Sequence, residues 1–177
     1  VKVWLPGVGA NYRFNNYVSL FGGVHKGFAP PTNTPGTDAE NSTNYEIGTR
    51  YNYKKFSGEL VVYFNDYKNL LGSDLAASGG SGTLDQFNAG EAHVKGIEFL
   101  INYQVLKEES KFKLPITFGY TLTDTEFVNE FASSDGAWGT IEKGDEIPYI
   151  SKHQFNASIA LEHAKFELIL GARYLIT

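Results

Sequence analysis

The sequence predicts an all-β chain, an antiparallel up-and-down meander of about eight long strands. Three observations carry this. Polarity alternates with a period of two along nearly every segment, as it does in a strand with one wet and one dry face. Short and long connections take turns along the chain. Aromatic residues make up 15% of the 177 residues, mostly Tyr (11) and Phe (13), which favour half-buried pleated surfaces.

Taken in order, "GVGANYRF" sets Val8, Ala10, Tyr12 and Phe14 against Gly9, Asn11 and Arg13, within a first strand read as Val3–Phe14. "YVSLFGGVHKGFA" follows, with Phe21 breaking its alternation. Next, Tyr45, Ile47, Thr49, Tyr51 and Tyr53 oppose Glu46, Gly48, Arg50 and Asn52. After Lys54 and Lys55 the pattern resumes: Phe56, Leu60, Val62 and Phe64 share one side, and Ser57, Glu59, Val61, Tyr63 and Asn65 the other. Thr43–Tyr53 is therefore expected to pair with Phe56–Leu71 as a hairpin. "KGIEFLINYQ" sets Ile97, Phe99, Ile101 and Tyr103 against Gly96, Glu98, Asn102 and Gln104. "FKLPITFGYTLTDT" sets Phe112, Leu114, Ile116, Phe118, Tyr120 and Leu122 against Thr117, Gly119, Thr121 and Thr123. "HQFNASIALE" alternates likewise, and Lys165–Thr177 reads as a last strand.

Short turns fall at Asn15-Asn16, Lys54-Lys55, Lys107 to Ser110, and His163-Ala164. Long polar connections fall at about Ala29 to Thr43, Ser73 to Phe87, and Val128 to Glu146. A meander with tight turns at one end and long loops at the other is the layout of a transmembrane β-barrel. The patterned segments Asn88–Leu106 and Lys111–Phe127 also exceed the roughly 9–11 residues that cross a bilayer. One face is too polar to pack dry, which favours a wide, wet or plugged lumen. On this reading Ile47, Leu60, Val62, Phe99, Ile101, Phe118 and Ile159 face lipid.

Composition narrows the function. The absence of cysteine removes thiol chemistry and Cys-ligated metal. A net charge of −5, with 15 scattered Lys and Arg, argues against nucleic acid as a partner. The serines and histidines fall at no spacing that points to a catalytic triad, so no enzyme activity is expected. His25, His93, His153 and His163 likewise show no metal-ligand spacing.

The ordered set "LPGVGANYRF", "FGGVHKGFAPP", "YEIGTRY", "GELVVYFNDYKNLL", "VKGIEFLINYQ" and "GDEIPYISKHQFNASI" resembles the C-terminal barrel of a TonB-dependent outer-membrane receptor. The wording of "GGVHKGFAPP" and "GSDLAASGGSG" is closest to the ferric-citrate branch. The resemblance implies a slice of a 22-stranded barrel in the outer membrane of a Gram-negative bacterium, closed by a plug. It implies uptake of an iron chelate, ferric dicitrate or a related siderophore, energised through TonB. Iron would travel within the chelate, and the protein would hold no cofactor. Residues 1–177 then read as a fragment, a partial barrel domain without plug or closing strands. Its partners would be that plug, the missing strands, the TonB complex, the chelate and outer-membrane lipid.

Candidate residues follow from that frame. Glu46 and Arg50 sit four apart on one strand, hence on one face, and Glu59 and Glu98 join them if neighbouring strands register. They read either as a charge ladder bracing the wall against the plug or as ligand contacts. Gly96 either admits the plug or a neighbouring chain, or marks a strand kink. His25 and Lys26 approach the outer mouth, as chelate ligands or as a solvated pair. Phe131 and Trp138 lie in a long loop, where they bind ligand or pack the loop. His153 and His163 are expected at the interface girdle and the turn. The alternative is a small soluble or membrane β-barrel that binds a ligand.

Overall fold

The computed structural model describes residues 2–31, 35–73, 86–132 and 139–177. Its elements, in chain order, are β1 (Gly7–Arg13), β2 (Val18–Ala29), β3 (Glu40–Tyr53), β4 (Phe56–Lys68), β5 (Leu71–Ser73), β6 (Gln86–Asn88), β7 (Ala92–Gln104), β8 (Phe112–Lys113), β9 (Pro115–Phe127), β10 (Phe131–Ala132), β11 (Thr140–Ile141), β12 (His153–His163) and β13 (Phe166–Ile176). The long strands form one antiparallel sheet in the order β1-β2-β3-β4-β7-β9-β12-β13, with β8 against β12. Among the described residues β1 and β13 are its two edges. The eight-strand meander is thus observed. The first strand starts at Gly7 rather than Val3: the Pro6 carbonyl still accepts from the Lys26 amide, but proline has no amide proton to give to the ladder.

Local chemistry sets each tight turn. At the first, the Asn15 side-chain oxygen accepts from the amides of Tyr17 (2.8 Å) and Val18 (2.9 Å), a turn that asparagine forms with its own backbone. At the second, Lys54 takes a left-handed φ of 52°, and Tyr53 pairs directly with Phe56. The register then runs unbroken to Asn41↔Lys68. The expected hairpin is observed, although Leu71 belongs to a separate small ladder with Asn88. Between β8 and β9 assigned strand structure lapses at Leu114, beside Pro115, which has no amide proton to give.

The sheet is a single layer, so its faces are mostly open. Among the described residues only Ala89, Ala92, Phe127, Ile141 and Ile147 form a buried hydrophobic core, with Tyr67, Leu70, Phe87, Val94 and Phe131 packed against it. That core sits where the described parts of two long connections, between β4 and β7 and between β9 and β12, meet at the loop end of the sheet. The first long connection, residues 30–39, joins them through Asn88. Its side chain accepts from the Asp38 amide (2.7 Å) and donates to the carbonyls of Asp38 (2.9 Å) and Asn69 (3.2 Å). Asn129 makes the second tie, accepting from the Glu91 amide at 2.8 Å.

Candidate functional site

Cross-strand register assigns every strand residue to a face. On one face the rows are apolar: Ile47, Val62, Ile97 and Leu122; Leu60, Phe99, Tyr120 and Phe155; Ile101 and Phe118; Phe56, Tyr103, Ile116 and Ile159. All seven residues expected to face lipid lie on it. At its turn end rings meet rings: Tyr17 with Tyr53 (4.8 Å between centroids), Tyr51 with Phe56 (5.6 Å), and Phe112 with His163 (4.8 Å). His163 therefore belongs to an aromatic cluster at a turn. His153 is on the same face near its loop-end limit, accepting from or donating to the Tyr120 hydroxyl at 2.9 Å.

The apolar face stops abruptly toward the loop end. Beyond the row of Ile47, Val62, Ile97 and Leu122 it becomes a chain of charged and polar contacts that runs from β4 across β7 and β9. Lys152 reaches Glu146 (3.4 Å) and Asp124 (3.7 Å); Lys95 reaches Asp124 (3.2 Å) and Glu126 (3.9 Å); His93 lies 3.3 Å from Glu126 and 3.7 Å from Asp66. The hydrogen bond that Lys95 donates to Asp124, with the nearby Glu126 carboxylate, raises its ammonium above its ordinary pKa. Of these residues the sequence reading named only His93, as a histidine without metal-ligand spacing.

The opposite face carries the charged and amide groups. Glu46, Tyr63, Gly96 and Thr123 share one row; Gly48, Val61, Glu98 and Thr121 the next; Arg50, Glu59, Leu100, Gly119, Asn156 and Arg173 the third. Glu46, Arg50, Glu59 and Glu98 are thus on one face, as expected, but they do not form a continuous ladder. Arg50 and Glu59 are direct register partners and form an ion pair. Glu46 and Glu98 have no ion-pair partner among the described residues. Two open hollows lie on this face, of about 630 Å³ between Glu59, Glu98, Asn156 and Arg173, and of about 460 Å³ between His25, Glu46, Asn65 and Glu98. Arg173 donates to the Gln154 side chain at 2.7 Å, and Thr117 to Asn102 at 2.8 Å.

Two glycines on this face are roofed by rings. Phe21, the residue that broke the alternation, lies over Gly48: a Cβ there would meet its Cζ at 2.5 Å. The Arg50 guanidinium sits 4.0 Å above the Phe21 ring centre, so the cation covers an apolar ring that faces the wet side. Tyr63 lies over Gly96 in the same way, with its hydroxyl 3.1 Å from Thr123. The space beside Gly96 is filled by Tyr63 of the adjacent strand.

The remaining candidates are separated. His25 faces the polar side, opposite Asn44. Lys26 faces the other side, where it donates to the Thr43 hydroxyl. Successive strand residues point to opposite faces, so the two side chains leave the sheet on opposite sides. Phe131 packs edge-on against Phe127 (5.3 Å) and pairs through β10 with Ile141. The geometry there is that of loop packing. Trp138 lies outside the described residues. Tyr67, near the loop core, has its phenol pKa raised by burial, with Glu40 and Tyr63 adding to it. Among the described residues no cluster of three or more His, Asp or Glu could hold a metal ion.

A single-layer sheet with one apolar band, one polar face and all its long loops at one end is the wall of a barrel with a wet interior. The whole chain, residues 1–177, matches the family described as "TonB dependent receptor-like, beta-barrel". The chain belongs to that family. Solved structures agree on the fold. The FrpB iron transporter from Neisseria meningitidis (F3-3 variant) is similar with a TM-score of 0.60 at 17% identity, over 96% of this chain and 26% of that one. The siderophore receptor PiuA from Acinetobacter baumannii gives 0.65 at 16% identity, over 96% and 25%. PirA, a siderophore receptor from the same organism, gives 0.59 at 13%, over 98% and 30%. The chain spans between a quarter and a third of the length of these structures. No curated protein matches it in sequence.

Proposed function

We propose that this chain is part of the wall and loop cluster of an outer-membrane receptor that imports a ferric chelate by a TonB-dependent route. The observation that carries the reading is the family match along the whole chain, laid over a sheet whose polar face runs up to a roof of linked loops. Receptors of this family are outer-membrane proteins of Gram-negative bacteria that work as transporters, and on that basis the chain needs no catalytic centre. The complete barrel has 22 strands and a plug inside it. Residues 1–177 form one section of that barrel. Glu46 and Glu98, with no ion-pair partner among the described residues, face the plug. Arg50 and Glu59 brace the wall. Gly96 contributes by accepting Tyr63 flat against the strand, which leaves room beside the plug.

Within this reading the cargo is ferric citrate or a related siderophore, held above the apolar band by the loops and by His25 on the polar face. Iron belongs to the cargo, and no resident cofactor is involved. The test is uptake of radiolabelled iron by cells that express the full-length receptor, supplied as ferric citrate, a ferric hydroxamate or a ferric catecholate, with and without a functional TonB complex. Accumulation from ferric citrate that disappears without TonB supports the proposal. Accumulation only from another chelate changes the cargo. TonB-independent accumulation from all three would refute the transport reading itself.

A further inference from the structure

Glycine serves the polar face in two ways. Gly48 and Gly96 are kept bare by their surroundings: a Cβ at either would collide with a ring and with a carbonyl oxygen. Gly119 on β9 and Gly171 on β13 are not. A Cβ at Gly119 would meet nothing nearer than 3.8 Å, and one at Gly171 nothing nearer than 3.7 Å, which is ordinary contact. Neither takes the left-handed backbone that favours glycine. Packing and backbone would accept a side chain at both, yet both floor the hollow of about 630 Å³. A bare strand backbone also marks the place where a ligand lies close.

One cation stands over that floor. Arg173 shares a row with Gly119 and Asn156. Its guanidinium donates to the Gln154 side chain at 2.7 Å and makes no ion pair among the described residues. Glu162 and Glu167, on the same face of β12 and β13, lie six residues from Asn156 and Arg173, about 20 Å of strand. Glu98 is three strands away, about 14 Å, and Glu59 is held by Arg50. The remaining N–H groups of the fork can grip a carboxylate with two parallel hydrogen bonds. Asn156 and Ser158 line the same hollow and offer neutral hydrogen bonds to the rest of such a molecule.

We infer that Arg173 and the glycine floor form a second, deeper subsite for the cargo, which takes a carboxylate of an anionic ferric chelate after it leaves the outer mouth. The inference rests on the transport reading above and adds to it a stopping place on the wall of β9, β12 and β13. His25 stands six residues nearer the loop end than Ser19, which pairs with Arg50 in the row of Arg173. That is about 20 Å of strand, so the two positions act one after the other. Charge and fork geometry select a chelate that presents carboxylates to its surroundings.

The experiment follows radiolabelled ferric citrate on cells that express the full-length receptor. Binding is read in cells lacking TonB, where nothing is imported, and uptake in cells that have it. Arg173→Gln should leave binding unchanged and slow uptake about tenfold, the scale of one charge-assisted hydrogen bond. Arg173→Lys keeps the charge without the fork and should recover only part. Gly119→Val puts a strand-favouring side chain into the hollow without a clash; it should fold as stably as the wild type and slow uptake as well. Folding is checked by the mobility of the unheated barrel on a gel, and plug seating by leakage of a hydrophilic antibiotic without chelate. Unchanged uptake in Arg173→Gln, or in folded Gly119→Val, overturns the inference and leaves the transport reading intact. A loss of binding equal to the loss of uptake overturns it too, because Arg173 then belongs to the outer site. So does an Arg173→Gln receptor that leaks or loses barrel stability before chelate is added, since the guanidinium then serves a carboxylate of the plug or of the next strand. Import only of a chelate without carboxylates also overturns it. A wild-type receptor that imports no chelate through TonB overturns both readings.

Discussion

Leu60 is the position at which the two faces of the sheet can be told apart by energy. On β4 the apolar band runs from Phe56 to Phe64, and Leu60 is its midpoint, four residues from either end. That is about 14 Å of strand in each direction, or about 10 Å of depth at a tilt of roughly 40°. Its cross-strand partners are Thr49 and Phe99, so a guanidinium placed there meets no carboxylate. Leu60→Arg should therefore carry the midplane cost of about 2–4 kcal/mol, about a 30- to 700-fold loss in the folding equilibrium. Val61 is the adjacent residue and faces the other way, between Gly48 and Glu98. Val61→Arg gains a carboxylate neighbour and should change stability by less than about 1 kcal/mol. Equilibrium unfolding of the full-length receptor in phospholipid vesicles, followed by tryptophan fluorescence, compares the two. If Leu60→Arg is neutral, or Val61→Arg is the more damaging, the face assignment is wrong.

Gly48→Ala should destabilise the receptor by about 1–3 kcal/mol, the usual cost of overpacking, because the new methyl meets the Phe21 ring and the Leu60 carbonyl; Phe21→Ala in the same chain should recover part of the loss, measurable by the same unfolding midpoint. Arg50→Ala removes an exposed ion pair and a cation over a ring, and should cost about 1–2 kcal/mol; Arg50→Lys should recover only part, since an ammonium cannot stack as a guanidinium does. Burial and Glu40 raise the Tyr67 pKa, so its phenol should ionise above its ordinary range in a Tyr67→Phe difference spectrum, and Glu40→Gln should move that titration down. The folded state holds this proton more tightly than the unfolded chain, so Tyr67's contribution to stability is complete below the ordinary tyrosine pKa and is lost as pH rises through the folded value.

How much of this was legible in the sequence depends on distance along the chain. Strand faces follow from a period of two, and the turn at Lys54-Lys55 follows from where that period restarts, so both are local. The placing of His25 and Lys26 on opposite faces was local too, because neighbours in one strand face apart. The roofing of Gly48 by Phe21 and of Gly96 by Tyr63 depends on the register between strands joined by long connections, which no local pattern fixes. Phe21 looked like an error in the alternation until Arg50 and Gly48 were its neighbours. The chain of polar contacts from Glu146 to Asp66 continues the apolar parity of β7, β9 and β4 past the last apolar residue. A pattern search that stops at Ile97 and Leu122 does not reach it.

Asn88 and Asn129 give the loop end a mechanical character. Two side chains link three connections that belong to different hairpins. A loop held only at its own two strands swings about that hinge without disturbing its neighbours. Here a displacement of residues 36–40 pulls on Asn88, which pulls on the 69–91 connection, which is fastened through Glu91 to Asn129 and the start of the next. At these described residues the three are joined as one collar. A shape change that begins over one hairpin is therefore felt two hairpins away, and an insertion tolerated in one connection has to leave the spacing of the other two unchanged.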